Sequence, residues 1–218
     1  MIRSILCFGD SNTYGVNPED NSRFPLSIRW TGRLQSLLGH EGYQVIEEGY
    51  CGRTTCFTDD SDEMRSGIKV LNMVLKTHCP TDMVVIMLGT NDFKAQFSMK
   101  AKVSAFGVKK IIEKAKKFCL AEGVKEPAFL IVSPIEMGDG IDESRFWEYS
   151  TESKREIEKL PAILKGVADE VGALFFDAAT VAGPGSDQLH MTAESHERLA
   201  SALYEVIKEY FESREVRN

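Results

Sequence analysis

The sequence predicts an α/β fold, a three-layer α/β/α sandwich around a five-stranded parallel sheet. Five short apolar runs alternate with helical patterns, and some of them, such as "MVVIML" and "AFLIVS", are apolar without interruption. Continuous apolar runs are typical of parallel strands that helices cover on both faces. Strands that alternate with helices form parallel sheets through right-handed crossovers. These observations together predict the fold class.

Each predicted strand is an apolar run that ends in turn residues. In chain order the strands are Ser4–Phe8, Gln44–Glu47, Met83–Leu88, Ala128–Val132 and Ala173–Phe176. The helices are predicted in the segments between and after these runs. They cover about Ile28–Leu38, Glu63–Thr77, Lys100–Ala121, Thr151–Val171 and Thr192–Ser213.

Residues with special backbone preferences stand near the predicted helix ends. Glycine, which is typical of helix C-termini, occurs at three of them: Gly39, Gly123 and Gly172. Thr192 is a candidate N-cap for the last helix. Pro161 falls inside Thr151–Val171, so we expect it to start, kink or break a helix there.

Length and composition are those of one soluble globular domain, and we expect residues 1–218 to form a single domain. The net charge of −7 argues against nucleic acid or an anionic membrane as a partner. Five scattered cysteines without a CxxC pair indicate free thiols in a reducing compartment, so we expect a cytoplasmic protein. No apolar run approaches the roughly 18 residues of a membrane span.

Residues suited to acyl transfer follow the strand ends, where open parallel sheets bind their ligands. Ser11 follows the first strand, Gly52 the second and Asn91 the third, while Asp187 and His190 precede the last helix. A serine becomes a nucleophile when a base takes its proton and a third group orients that base. We therefore predict Ser11 as nucleophile, His190 as general base and Asp187 as the orienting carboxylate.

The same strand ends supply hydrogen-bond donors for the oxyanion that acyl transfer creates. These donors are the backbone N–H groups of Ser11 and Gly52 and the side-chain amide of Asn91. Alone, each of these motifs is more simply a turn or a helix cap. Their common position at strand ends favours a serine esterase that hydrolyses small carboxylic esters through an acyl-enzyme intermediate.

The segments "FGDSNTYG", "GYCGRTT", "LGTND" and "DQLH" resemble the four blocks of the SGNH (GDSL-type) hydrolases, with Asn12 in place of the leucine of GDSL. The longer strings "RWTGRL" and "IMLGTNDFKAQF" look closest to the arylesterase and acyltransferase branch. The resemblance covers most of Ile5–Leu120 and returns around Phe175–Ala193, whereas Glu136–Val171 resembles no known segment. The resemblance implies a flavodoxin-like SGNH-hydrolase fold, esterase or lipase chemistry and the triad and oxyanion residues given above. It also implies short acyl groups such as acetyl, and a homo-oligomer.

Two other functions remain open at this point. One is an acyltransferase that passes the acyl group to an alcohol, and the other is a non-catalytic flavodoxin-like binding module. Against the second, the first strand–helix turn lacks both GxGxxG and the P-loop lysine. We expect no cofactor and no metal, because no two histidines have a metal-ligand spacing. The other histidines, His40, His78 and His196, are expected to be surface or capping groups.

The substrate-binding residues are less well defined by the sequence. Asn12, Arg53 and Phe93 are candidates because they neighbour the predicted catalytic residues. Arg53 either supports the oxyanion loop or contacts substrate, and Phe93 either walls the pocket or packs in the core. The segment Val16–Ser27 is expected to shape the pocket or to reach a neighbouring subunit. Cys51 is expected to be a buried packing residue.

Overall fold

The computed structural model describes residues 2–97 and 100–215 and confirms the predicted α/β/α sandwich. Its five strands are β1 Arg3–Gly9, β2 Tyr43–Gly49, β3 Met83–Met87, β4 Ala128–Ser133 and β5 Leu174–Asp177. They form one parallel sheet in the order β2-β1-β3-β4-β5. Each predicted strand is therefore present, with bounds that differ by one or two residues.

Seven α-helices are assigned within the described residues, and they flank the sheet on both sides. They are α1 Ser11–Tyr14, α2 Trp30–Leu38, α3 Gly67–His78, α4 Ala101–Glu122, α5 Thr151–Ile157, α6 Leu160–Val171 and α7 Ala193–Glu215. Helices α3, α4 and α6 pack together on one side of the sheet, and α2 packs against α7 on the other. The sheet is the middle layer.

Alternate residues of the central strands point into two separate cores. In β1, Leu6 and Phe8 belong to the core under α3, α4 and α6, whereas Ile5 and Cys7 belong to the core under α2 and α7. All four side chains are fully buried. This is why β1 is apolar without interruption, as expected of a strand covered on both faces.

Two of the predicted helices differ from those in the structure. Thr151–Val171 is divided into α5 and α6, and Pro161 lies in the first turn of α6, where its missing N–H costs no helical hydrogen bond. Glu63–Thr77 begins as a 3₁₀ turn, and α3 itself begins at Gly67. The predicted N-cap is present, because Thr192 Oγ1 accepts the N–H of Ser195 at 3.0 Å.

The prediction that His196 is a surface or capping group is wrong. His196 lies on α7 and is fully buried where that helix packs against α2. Its Nδ1 accepts the backbone N–H of Trp30 at 3.2 Å, and its ring meets the Phe24 ring edge-on at 5.5 Å. Burial lowers the pKa of His196 to about 3, with help from Arg33 and Arg29 nearby. The imidazole is therefore neutral in the folded protein.

The ends of the central strands lie level at one edge of the sheet. Gly9, at the end of β1, pairs with Gly49 of β2 and with Met87 of β3. The segments that follow these three strands are therefore neighbours in space, although they are far apart in sequence. No helix in residues 2–97 or 100–215 is long and apolar enough to cross a membrane.

Candidate active site

The turn after β1 places Ser11 at the first position of the short helix α1. Asp10 caps this helix, because its Oδ1 accepts the N–H of Asn12 at 2.9 Å. Gly9 is required at the turn, since a Cβ there would lie 2.0 Å from Thr13 Oγ1. The strand therefore ends at a glycine that lets the helix fold back closely, with the serine at its start.

Ser11, His190 and Asp187 form a chain of two hydrogen bonds. Ser11 Oγ lies 2.9 Å from His190 Nε2, and His190 Nδ1 lies 2.6 Å from Asp187 Oδ2. An ionised carboxylate only accepts hydrogen bonds, so the imidazole proton is on Nδ1. Nε2 is then free to accept the proton of the serine hydroxyl. The three side chains are brought together as predicted.

Asp187 is held ionised by its surroundings. Burial by itself would raise the pKa of this carboxyl group, but hydrogen bonds outweigh that effect and the pKa is lowered. Oδ2 accepts from the imidazole of His190, and Oδ1 accepts the backbone N–H groups of His190 and Leu189 at 2.8 and 3.0 Å. Arg145 lies 3.3 Å from Oδ2. Hydrogen bonds of this kind stabilise the charged form.

The sequence predicted Asn12 as a substrate-binding residue, and the structure places its side chain in the protein interior. Its side chain is buried and ties α1 to the loop that carries the histidine. Asn12 Oδ1 accepts the N–H of Met191 at 2.9 Å, and its Nδ2 donates to the carbonyl of Leu189 at 3.4 Å. These two residues flank His190. Asn12 therefore fixes the distance between Ser11 and His190.

Gly52 and Asn91 lie beside Ser11, as the level strand ends require. Gly52 has a φ of +80°, in the left-handed region that favours glycine. Asn91 Nδ2 donates to the backbone carbonyl of Arg53 at 3.1 Å and lies 3.5 Å from Asp10 Oδ2. The structure thus brings Ser11, Gly52 and Asn91, the residues that the sequence assigned to an oxyanion hole, into the lining of one cavity.

The predicted nucleophile, general base and oxyanion donors line one cavity of about 220 Å³. Its lining includes Ser11, Gly52, Asn91 and His190, together with residues from three further segments. Those residues include Val16, Asn21, Lys94, Phe146, Glu148 and Tyr149. Val16 and Asn21 belong to the segment that was expected to shape the pocket, and that expectation agrees with the cavity. Lys94 and Glu148 form an ion pair at 3.6 Å within the wall.

Arg53 and Phe93 were predicted as substrate contacts, and neither lines the cavity. Arg53 is buried and donates to the backbone carbonyls of Gly9, at 2.8 Å, and Glu48. Its guanidinium lies over the Phe8 ring, and burial lowers its pKa to about 10. Phe93 is fully buried in the core under α3, α4 and α6. Both side chains turn inward from their loops, which agrees with the alternatives that Arg53 supports the loop and that Phe93 packs in the core.

The prediction of a buried Cys51 is also wrong. The residue is exposed and lines the cavity beside Gly52, and all five cysteines are free.

Two buried carboxyl groups support the surrounding loops. Burial raises the pKa of both Asp10 and Asp92 to about 6. Asp92 accepts the N–H of Thr55 at 2.8 Å, which joins the loop after β2 to the loop after β3.

Residues 136–171 contribute to the site, and among them Tyr149 had no role in the sequence prediction. Tyr149 donates its hydroxyl hydrogen to Asn91 Oδ1 at 2.9 Å. Phe146 meets the imidazole of His190 edge-on, with ring centroids 5.5 Å apart. The segment carried no recognisable motif, and only its aromatic residues were a signal. Within residues 2–97 and 100–215, no group of three or more His, Cys, Asp or Glu side chains is arranged to hold a metal ion.

The fold and this arrangement place the protein in a known class. The sequence model of the GDSL-like lipase/acylhydrolase family matches residues 7–198. The chain belongs to this family, as the resemblance of its four motifs predicted. It is accordingly a carboxylic ester hydrolase. None of the curated proteins matches the chain in sequence.

Solved structures with similar sequences span nearly the whole chain. Est24, a carbohydrate acetylesterase from Sinorhizobium meliloti, is 34% identical with a TM-score of 0.86, over 95% of this chain and 99% of that one. The native aryl esterase of M. smegmatis is 34% identical with a TM-score of 0.88, over the same shares. A further carbohydrate acetylesterase family member from S. meliloti is 31% identical, with a TM-score of 0.89, over 95% and 98%.

Proposed function

We propose that the protein is a serine esterase that cleaves small carboxylic esters through an acyl-enzyme intermediate. Ser11 is the nucleophile, His190 the general base and Asp187 the carboxylate that orients the base. One observation carries the proposal: the hydrogen-bond chain of 2.9 Å from Ser11 to His190 and 2.6 Å from His190 to Asp187. Nucleophile, base and orienting group within hydrogen-bond reach are the geometric signature of this chemistry.

In the acylation step, Ser11 Oγ attacks the ester carbonyl carbon while its proton moves to His190 Nε2. The carbonyl oxygen becomes an oxyanion, which accepts hydrogen bonds from the N–H groups of Ser11 and Gly52 and from the amide of Asn91. The C–O bond to the alcohol then breaks, and His190 gives its proton to the leaving alkoxide. Asp187 stabilises the imidazolium that exists between these transfers.

In the deacylation step, water takes the place of the alcohol. His190 removes a proton from the water as its oxygen attacks the carbonyl carbon of the Ser11 ester. The second tetrahedral intermediate collapses, the bond to Ser11 Oγ breaks, and His190 returns the proton to the serine. The products are a carboxylic acid and the free enzyme.

The size of the cavity supports a short acyl group, with acetyl as the first choice. About 220 Å³ is below the range of roughly 300–1,000 Å³ of pockets for drug-sized ligands. The lining combines apolar and charged side chains, such as Phe146 and the Lys94–Glu148 pair. The similarity to carbohydrate acetylesterases and to an aryl esterase supports the same substrate class.

The test is hydrolysis of p-nitrophenyl acetate, butyrate and octanoate by the native protein and by Ser11→Ala. We expect acetate to be the best substrate and the variant to lose at least about a thousandfold in kcat. A fluorophosphonate label should modify Ser11 alone. Ser201→Ala, an exposed serine on α7, is the matched control and should retain full activity. Undiminished turnover by Ser11→Ala would show that another residue is the nucleophile.

Product analysis in water–alcohol mixtures tests the alternative of acyl transfer. Formation of the new ester in preference to the free acid would identify an acyltransferase.

We also propose a single domain, a cytoplasmic location and a homo-oligomeric state. The five free cysteines support a reducing compartment. Size-exclusion chromatography with light scattering would measure the number of subunits.

A further inference from the structure

Tyr149 lies directly behind one of the proposed oxyanion donors. It precedes α5 in the part of the chain that resembled no known segment, and its side chain is 5% exposed. Its hydroxyl group donates to Asn91 Oδ1 at 2.9 Å, across 58 residues of sequence. Burial raises the pKa of the Tyr149 phenol well above its usual value, so this hydroxyl stays protonated and remains a donor at any assay pH.

The other contacts of Asn91 determine which way its amide faces. Nδ2 lies 3.1 Å from the carbonyl oxygen of Arg53 and 3.5 Å from Asp10 Oδ2. A carbonyl oxygen and an ionised carboxylate only accept hydrogen bonds, so the NH₂ end must face them. The amide oxygen is then directed to the opposite side, where Tyr149 is its donor. The three contacts agree on one orientation.

This orientation leaves one N–H of Asn91 available to a substrate. The first N–H is engaged by the Arg53 carbonyl at 3.1 Å. The second points towards Asp10 at 3.5 Å, which is at the outer limit of hydrogen bonding, so it can turn to a stronger acceptor. The bond from Tyr149 holds the far end of the amide in place while this happens.

We propose that Tyr149 is a positioning residue that holds the Asn91 amide in the orientation required to donate to the oxyanion. This inference rests on the proposed function and deepens it. Preorganised donors stabilise a transition state because they need not reorient as charge develops. Packing supports the role, since the Tyr149 ring meets the Phe146 ring edge-on at 6.5 Å, and Phe146 in turn contacts His190. The aromatic pair of Tyr149 and Phe146 thus links the residue that holds Asn91 to the general base His190.

The test is a double-mutant cycle with p-nitrophenyl acetate. Tyr149→Phe keeps the ring and removes the hydroxyl group, so we expect kcat to fall by about tenfold with KM changed less than twofold. The kcat of Asn91→Ala should be about a hundredfold lower than that of the native protein. Adding Tyr149→Phe to Asn91→Ala should cause no further loss, because the group that Tyr149 positions is then absent.

A matched control separates positioning from the general loss of a tyrosine hydroxyl group. Tyr43→Phe removes a hydroxyl that accepts a hydrogen bond from Arg3 at 3.1 Å, at the opposite end of the sheet, and should leave kcat unchanged. Thermal unfolding of each variant checks the fold. Tyr149→Phe keeps the buried ring, so we expect it to fold; Tyr149→Leu, which lacks both the hydroxyl group and the ring, is carried through the same cycle as a second variant.

The inference is overturned if kcat of Tyr149→Phe stays within twofold of the native value. It is equally overturned if the loss in the Asn91→Ala background equals the loss in the native background. Ser11→Ala in the same assay distinguishes the two proposals. Loss of activity in Ser11→Ala with native kcat in Tyr149→Phe would overturn only the role of Tyr149, whereas an active Ser11→Ala would overturn both.

Discussion

The neutral, buried His196 makes the stability of the protein depend on acidity in a way that can be measured. Its ring is fully buried, and its pKa is lowered from an unfolded value of 6.5 to about 3. Below pH 6.5 the unfolded chain binds a proton at this residue while the folded chain does not. The stability that His196 contributes is therefore fully present above pH 6.5 and is lost as the pH falls towards 3.

The size of the effect follows from the two pKa values. Each pH unit between them corresponds to about 1.4 kcal/mol of unfolding free energy. From pH 7 to pH 5 only the part below 6.5 counts, which gives a loss of about 2 kcal/mol. Asp10 and Asp92 act in the opposite direction, because their raised pKa values of about 6 make the folded chain bind protons first. Asp10 and Asp92 are present in both the native protein and a His196 variant, so the difference in unfolding free energy between these two proteins cancels their contribution.

The perturbation is His196→Asn, which offers Trp30 an acceptor oxygen and has no proton to bind. We compare the unfolding free energy of the native protein with that of this variant at each pH. The difference, native minus variant, should be about 2 kcal/mol smaller at pH 5 than at pH 7. Urea unfolding of both proteins is followed by tryptophan fluorescence, which changes on unfolding because Trp30 is buried in the folded protein and Trp147 is already exposed. His40→Asn changes an exposed histidine and should show a constant difference. A constant difference for His196→Asn as well would refute the reasoning.

Two further predictions concern the loops of the site. Asn12→Ala removes the hydrogen bonds to Leu189 and Met191, so urea unfolding should show a loss of about 1–3 kcal/mol, against almost none for the exposed Asn72→Ala. A loss equal to that of Asn72→Ala would contradict this role. Of the five cysteines, the exposed Cys51 should react first with a bulky maleimide in the folded protein, and this label should block ester hydrolysis because Cys51 lines the cavity. The Cys51→Ser variant should keep its activity after the same treatment. Full activity of the labelled protein would mean that the cavity is entered from another side.

The sequence by itself determined the sheet and the centre of the site. Central parallel strands are covered on both faces and therefore largely apolar, so the runs that became β1, β3 and β4 could be located without any structure, and the partly buried edge strands β2 and β5 were placed by their alternation with helices. Because such strands end at one edge, the polar residues after β1, β2 and β3 had to meet there. Ser11, Gly52 and Asn91 line one cavity for that reason, and the loop before α7 adds Asp187 and His190 to Ser11.

Only the tertiary structure decided what surrounds these residues. Asn12 and Arg53 stand beside predicted catalytic residues, yet their side chains turn inward and bind backbone groups of other segments. Tyr149 and His196 find partners 58 and 166 residues away. Local patterns report which face of an element is apolar, whereas such distant partners are set by how the layers and loops pack. That packing is why the support of Asn91 and the burial of His196 could not be predicted from the sequence.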